Sequence, residues 1–176
     1  FTKSAASISM AEDSISYAKR TQNYHYEMEL VLAIGTAGLD VGIDQAETLI
    51  FGCAAGLDMT RRDLQNNSKK QGRPWDTGKD VEESAVITPI RPIAEVPSFA
   101  RARIYMSQNG EMKQESDLEL MVWSVPEIIA DLSTLYHLQP GDLIYTGTPA
   151  GVGPVKRGDT LVGGVDGVAE FTVSIT

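Results

Sequence analysis

Hydrophobic and polar positions along the chain fall into short runs, more often with the period of a strand than with that of a helix. Residues 28–35 (MELVLAIG) predict a strand that closes at a Gly turn. Residues 101–108 alternate in the same way, Asn109-Gly110 is a two-residue hairpin signal, and the chain returns from Glu111 onward. Residues 142–146 and 160–165 read as short strands, with Asp166-Gly167 pairing the second of them with residues 168–175. Helical spacing is confined to fewer places. Ile128, Ile129, Leu132 and Leu135 share one face of a helix over 126–135, opened by Ser124. A short helix is predicted over 44–50, with Asp44 as N-cap and Glu47 three residues on. Small apolar residues over 51–59 lead into a polar helix over 60–71. Residues 1–24 read as an irregular polar lead-in, and the Gly and Pro of 72–84 as a loop. The sum is a mixed α/β, β-dominated fold with a few short helices rather than an ordered βαβ series.

The length of 176 residues fits a single domain, 1–176, and no repeat or low-complexity tract divides it. Lys and Arg number 15 against 24 Asp and Glu, a net charge of -9, which argues against nucleic acid as a partner because that affinity rests on clustered cations. A small anionic substrate stays open, since it needs one local cationic pocket. Cys53 is the single cysteine, so neither an intrachain disulfide nor a cysteine-only metal site can form. No apolar run approaches the roughly 20 residues of a membrane helix, and the opening FTKSAASISM is no secretory signal. A reduced, cytoplasmic setting with no membrane partner is expected.

The acids carry the candidate chemistry. On a strand, His25, Glu27 and Glu29 project to one side while Met28, Leu30 and Leu32 project to the other. Two carboxylates repeated on one strand face repel unless the face is wet or a cation bridges them, so the pattern fits a solvated edge as well as a site. Asp58, at the end of an apolar run and just before the polar helix, either caps that helix or faces a pocket. Should Glu27, Glu29 and Asp58 converge, they would form an all-oxygen site suited to Mg²⁺ or Mn²⁺, with Ca²⁺ also fitting; zinc suits it poorly without Cys or clustered His. His25 fits a supporting hydrogen bond better than ligation.

Cationic and polar groups follow the acids. Arg62 and Gln65 share a helix face with Lys69 one turn on, either as solvated surface or as the lining of a pocket for a substrate carboxylate or carbonyl. Lys79 lies on a loop flexible enough to swing an ammonium into that pocket. Residues 140–153 (PGDLIYTGTPAGVG) place the Thr148 hydroxyl and backbone N–H groups in a Gly-rich turn; without the Lys-Ser/Thr of a P-loop, nucleotide binding is not indicated.

In order along the chain, Glu27-x-Glu29, Asp58 followed by Arg62, Asp63 and Gln65, then Lys79, then the run 140–153 resemble the fumarylacetoacetate hydrolase family, nearest to its acylpyruvate-cleaving branch. The resemblance implies a β-sandwich roll, a homodimer, and a divalent ion held by Glu27, Glu29 and Asp58. It implies 2,4-dioxo acids such as fumarylpyruvate as substrates, with Arg62, Gln65 and Lys79 contacting substrate or oxyanion and Thr148 holding the carboxylate. Cleavage between C3 and C4 would give pyruvate and an organic acid; oxaloacetate-type decarboxylation or isomerisation is the alternative on the same scaffold. The family's water-activating His–Glu pair has no match in residues 1–24 and is expected before Phe1.

Overall fold

The computed structural model describes residues 1–12, 14–96 and 100–176. Its strands are β1 (Ile8–Met10), β2 (Ser14–Ile15), β3 (Tyr24–Tyr26), β4 (Met28–Ile34), β5 (Ile50–Asp58), β6 (Thr60–Arg61), β7 (Ala85–Ile87) and β8 (Arg91–Pro92), then β9 (Arg103–Gln108), β10 (Glu111–Asp117), β11 (Leu143–Tyr145), β12 (Gly153–Pro154), β13 (Thr160–Val165) and β14 (Ala169–Ile175). Among the described residues two helices, α2 (Arg62–Lys70) and α4 (Val125–Leu135), two single turns, α1 (Ile43–Ala46) and α3 (Asp76–Lys79), and four 3-10 turns complete the mixed, β-dominated fold.

Three sheets divide the strands. The first runs β1-β7-β5-β4-β11 with β8 also on β5, the second β10-β9-β13-β14-β2, and the third β12-β3-β6. Leu30, Leu32 and Leu57 of the first sheet share one apolar core with Met106, Leu161 and Val173 of the second, all fully buried. The two sheets thus pack face to face as a sandwich, burying the inward half of each alternating pattern. The opposite face of the first sheet carries Val31, Ala54 and Ile87 in a smaller cluster with Leu143 and Tyr145, and it is this face that also presents acids.

Several local expectations change. The strand holding the acids is two strands, because the chain leaves the third sheet after Tyr26 and enters the first at Met28, with Glu27 at the junction. The lead-in is not wholly irregular: β1 pairs in parallel with β7, and β2 with β14, long-range contacts that no local pattern announces. Thr60 belongs to β6 rather than to the polar helix, which begins at Arg62, and neither Asp58 nor Thr60 caps it. Asp44 is not an N-cap. That place falls to Gly42, and Asp44 sits in the first turn, where its charge meets the positive end of the turn. The loop over 72–84 contains the helical turn α3. The helix α4 opens as expected, with Ser124 and Glu127 forming a reciprocal capping box. Among the described residues no helix is long and apolar enough to cross a membrane.

Candidate metal centre

Register brings the acids together. β4 and β5 are antiparallel, with Met28 opposite Leu57 and Glu29 opposite Gly56, so the next step sets Glu27 beside Asp58, whose N–H donates to the Glu27 carbonyl at 2.9 Å. Opposite and diagonal neighbours on one sheet face are close enough to interact. Glu27, Glu29 and Asp58 each offer an oxygen within 4.8 Å of the others, and all three are buried.

Such a cluster of negative charge survives only with compensation. Lys79 Nζ lies 2.7 Å from Glu27 Oε2, 2.5 Å from Asp58 Oδ2 and 2.7 Å from Thr60 Oγ1. Arg62 pairs with the other oxygen of Glu27, and its second nitrogen donates to Gln65 Oε1 at 2.6 Å. Lys3 faces Asp58 Oδ1 at 2.9 Å and donates to Ser84 Oγ at 2.7 Å. Among the described residues Glu29 has no cationic partner; its Oε2 accepts the Gly147 N–H at 2.7 Å, from a residue whose φ of 97° suits glycine.

The protonation tendencies follow from this layout. Burial pushes the Glu27 carboxyl up, but Lys79 and Arg62 together outweigh it and hold it below the usual range. Burial, with the Asp58 charge in second place, pushes Glu29 up to about 8 against the pull of the Gly147 N–H. Burial likewise raises Asp58 in spite of Lys3 and Lys79. The site is therefore short of positive charge on the side of Glu29, while Asp58 has two ammonium partners. Asp58 Oδ1 is buried without a hydrogen-bond partner, although Lys3 stands beside it as an ion pair. An all-oxygen donor set in which Glu29 has no cationic partner among the described residues fits a hard divalent cation.

A cavity of about 1000 Å³ opens onto the cluster; Glu27, Glu29, Asp58, Lys3 and Thr148 are in its wall. Arg62, Gln65 and Lys79 are not in that wall; Arg62 and Lys79 meet the acids instead, and Gln65 meets Arg62. Lys79 does not swing on a loop: it ends α3, and its side chain is 2 % exposed, pinned by two carboxylates. Gln65 is buried with the backbone of Gly78 against it, an approach that a Cβ at Gly78, 2.9 Å from Gln65 N, would block. His25 stays outside the acid cluster; its Nε2 pairs with Asn23 Oδ1 at 2.8 Å. Lys3, Thr60 and Gln114 also reach the site, and a Lys in a polar lead-in, a Thr after a strand and a Gln in a hairpin carry no local signal of their partners.

Comparison with known proteins agrees with this geometry. The sequence pattern described as fumarylacetoacetate (FAA) hydrolase C-terminal matches residues 1–176. The chain belongs to this family. It is 55% identical over 175 residues to a fumarylpyruvate hydrolase of Ralstonia sp, covering 99% of this chain and 91% of that one. It is 37% identical to a mitochondrial oxaloacetate tautomerase of Mus musculus over 154 residues, 88% of this chain and 70% of the relative. The fold superposes on the crystal structure of fumarylpyruvate hydrolase from Pseudomonas aeruginosa in complex with Mn²⁺ and pyruvate with a TM-score of 0.98, at 43% identity, covering 100% of this chain and 77% of that one. The family's sandwich architecture and the oxygen-only triad thus occur together in this chain.

Proposed function

We propose that this protein is a metal-dependent hydrolase that cleaves the C3–C4 bond of 2,4-dioxo acids, with fumarylpyruvate as the substrate. The observation that carries the reading is the buried convergence of Glu27, Glu29 and Asp58 at the floor of a cavity that also contains Thr148. The 55% identity to a fumarylpyruvate hydrolase supports the choice of substrate. A divalent cation, Mg²⁺ or Mn²⁺, held by the three acids supplies Lewis-acid stabilisation of substrate oxygens that gain negative charge.

The residues of this chain do the rest by placement. Thr148 offers its hydroxyl to the substrate carboxylate. Gln65 holds Arg62, and Arg62 and Lys79 fix Glu27 and Asp58 and set a positive potential behind the acids that stabilises charge developing as the bond breaks. Three cations stand against three acids, so a bound divalent ion leaves the site with two positive charges, matched by a substrate with two carboxylates. Water adds to the C4 carbonyl, the C3–C4 bond breaks, and C3 takes up a proton, giving pyruvate and fumarate. A homodimer in a cytoplasmic setting belongs to the same reading, and sedimentation at twice the mass of one chain is its check.

The test is direct. Mn²⁺-loaded protein is expected to consume fumarylpyruvate, followed by loss of dienol absorbance, with one pyruvate formed per substrate. Activity that persists undiminished after EDTA treatment sinks the mechanism. The relative named oxaloacetate tautomerase makes oxaloacetate the proper competitor substrate. Turnover of oxaloacetate, by CO₂ release or keto–enol exchange, without cleavage of fumarylpyruvate would assign the metal site to that chemistry instead.

A further inference from the structure

The buried amide of Gln114 is used by nothing described so far, yet every one of its polar atoms is engaged. It lies on β10 just after Lys113, where the register against β9 skips a residue, a bulge that re-aims the side chain that follows. Gln114 is 0% exposed. Its Oε1 accepts the Met28 N–H at 3.1 Å, between two of the acids, and its Nε2 donates to Thr148 Oγ1 at 2.7 Å and to the Pro149 carbonyl at 2.8 Å. A Cβ at Gly151 would lie 2.0 Å from the Lys113 carbonyl, so the bulge and the turn over 147–151 are in direct contact.

The orientation of this amide has one solution. The Met28 N–H can only donate and the Pro149 carbonyl can only accept, so oxygen faces Met28 and nitrogen faces Pro149. The second N–H of the amide then points at Thr148 Oγ1, which receives it. A hydroxyl that accepts from a fixed donor turns its own proton elsewhere, and among the described residues Thr148 Oγ1 donates to no acceptor. Thr148 is in the wall of the cavity that holds the acids.

We propose that Gln114 is a positioning residue that commits the Thr148 hydroxyl to donate into the cavity, toward an anionic oxygen of the ligand. This rests on the reading of Thr148 as the contact for the substrate carboxylate. Loss of the amide nitrogen frees the Thr148 proton to turn back toward the Pro149 carbonyl, so the ligand loses its donor even though Thr148 remains. An isosteric Gln114→Glu change goes further, placing an acceptor where the donor stood.

The experiment measures pyruvate binding to the Mn²⁺-loaded protein by calorimetry, and Mn²⁺ binding without pyruvate, for Gln114→Glu, Thr148→Val and the double variant. Thr148→Val is expected to weaken pyruvate by about tenfold, as for one hydrogen bond to a charged group. Gln114→Glu is expected to match that loss with Mn²⁺ affinity changed less than about threefold, and the double variant to be no weaker than Thr148→Val alone. Should Gln114→Glu fail to fold, Gln114→Met keeps the shape without the donor and carries the same expectations. Gln114→Glu weakening pyruvate as strongly in the Thr148→Val background as alone, or not at all, overturns the proposal while the Thr148 contact stands. Wild-type pyruvate binding in Thr148→Val overturns that contact and the proposal together.

Discussion

At the scale of single residues, Asp58 has more to do than its place in the chain suggests. On the sequence alone, Asp58→Ala would remove metal-dependent turnover and leave the fold intact. The structure revises the second half, because Asp58 is the shared partner of the buried Lys3 and Lys79. Its removal leaves the Lys3 ammonium without a carboxylate partner and Lys79 with Glu27 alone. We expect Asp58→Ala to lose Mn²⁺ binding by calorimetry and to lose about 3–5 kcal/mol of stability in urea denaturation, the usual cost of breaking a buried pair. Lys79 offers the complementary case. Lys79→Met is expected to retain Mn²⁺ binding while turnover falls about 10²–10³-fold, the scale of losing one preorganised charge contact. Steady-state rates with metal in excess check this, and a Lys79→Met enzyme at wild-type rate would remove Lys79 from the reaction.

At the scale of elements, the acid face depends on how closely β4, β5, β7 and β11 approach one another. A Cβ at Gly56 would stand 2.5 Å from the Val86 carbonyl, 2.8 Å from Val31 Cγ2 and 3.0 Å from Tyr145 Cε1. The Tyr145 ring crosses this position to donate its hydroxyl to the Val86 carbonyl at 3.0 Å. Gly56→Ala should therefore cost about 1–3 kcal/mol by overpacking, seen as a lower denaturation midpoint, with Mn²⁺ affinity falling as the strands separate. The lead-in is held to α2 by a different device. Asp63 accepts from Thr21 Oγ1 at 2.6 Å, the Gln22 N–H at 3.0 Å and the Leu64 N–H at 2.9 Å. Burial raises its carboxyl, but these bonds together outweigh it and hold the group below the usual range. A depressed folded value gives stability that is present above the unfolded value of 3.8 and is lost as pH falls through the folded one. The stability difference between wild type and Asp63→Asn should thus be constant from neutral pH to about 5 and shrink below about 4, measured by thermal denaturation across pH.

At the scale of the molecule, a cation bound only by the folded triad must stabilise the fold. Mn²⁺ at 100 times its dissociation constant should add about 2.7 kcal/mol to unfolding, and EDTA should remove that increment. Scanning calorimetry with and without metal reads this, and an unchanged melting temperature at saturating Mn²⁺ would mean that the acids do not hold the ion.

How much of this was legible in the chain depends on the range over which each feature is decided. Strand alternation through residues 25–32 already sorted Met28, Leu30 and Leu32 from His25, Glu27 and Glu29, because side-chain direction in a strand is a local, two-residue property. The hairpin at Asn109-Gly110, whose φ values of 54° and 82° suit those residues, and the helix opened by Ser124 were readable for the same reason, whereas the capping box expected at Asp44 and Glu47 does not form. Order of the motifs was enough to indicate the family. Tertiary structure decided what lies across strands: that Asp58 sits opposite Glu27, that Lys3 leaves a polar lead-in to meet it, and that a bulge at Lys113 aims Gln114 at Thr148. Register, ion pairing and the direction of a buried amide are set by partners distant in the chain. No local pattern encodes them, because their free energy comes from burial that exists only once the sheets have closed.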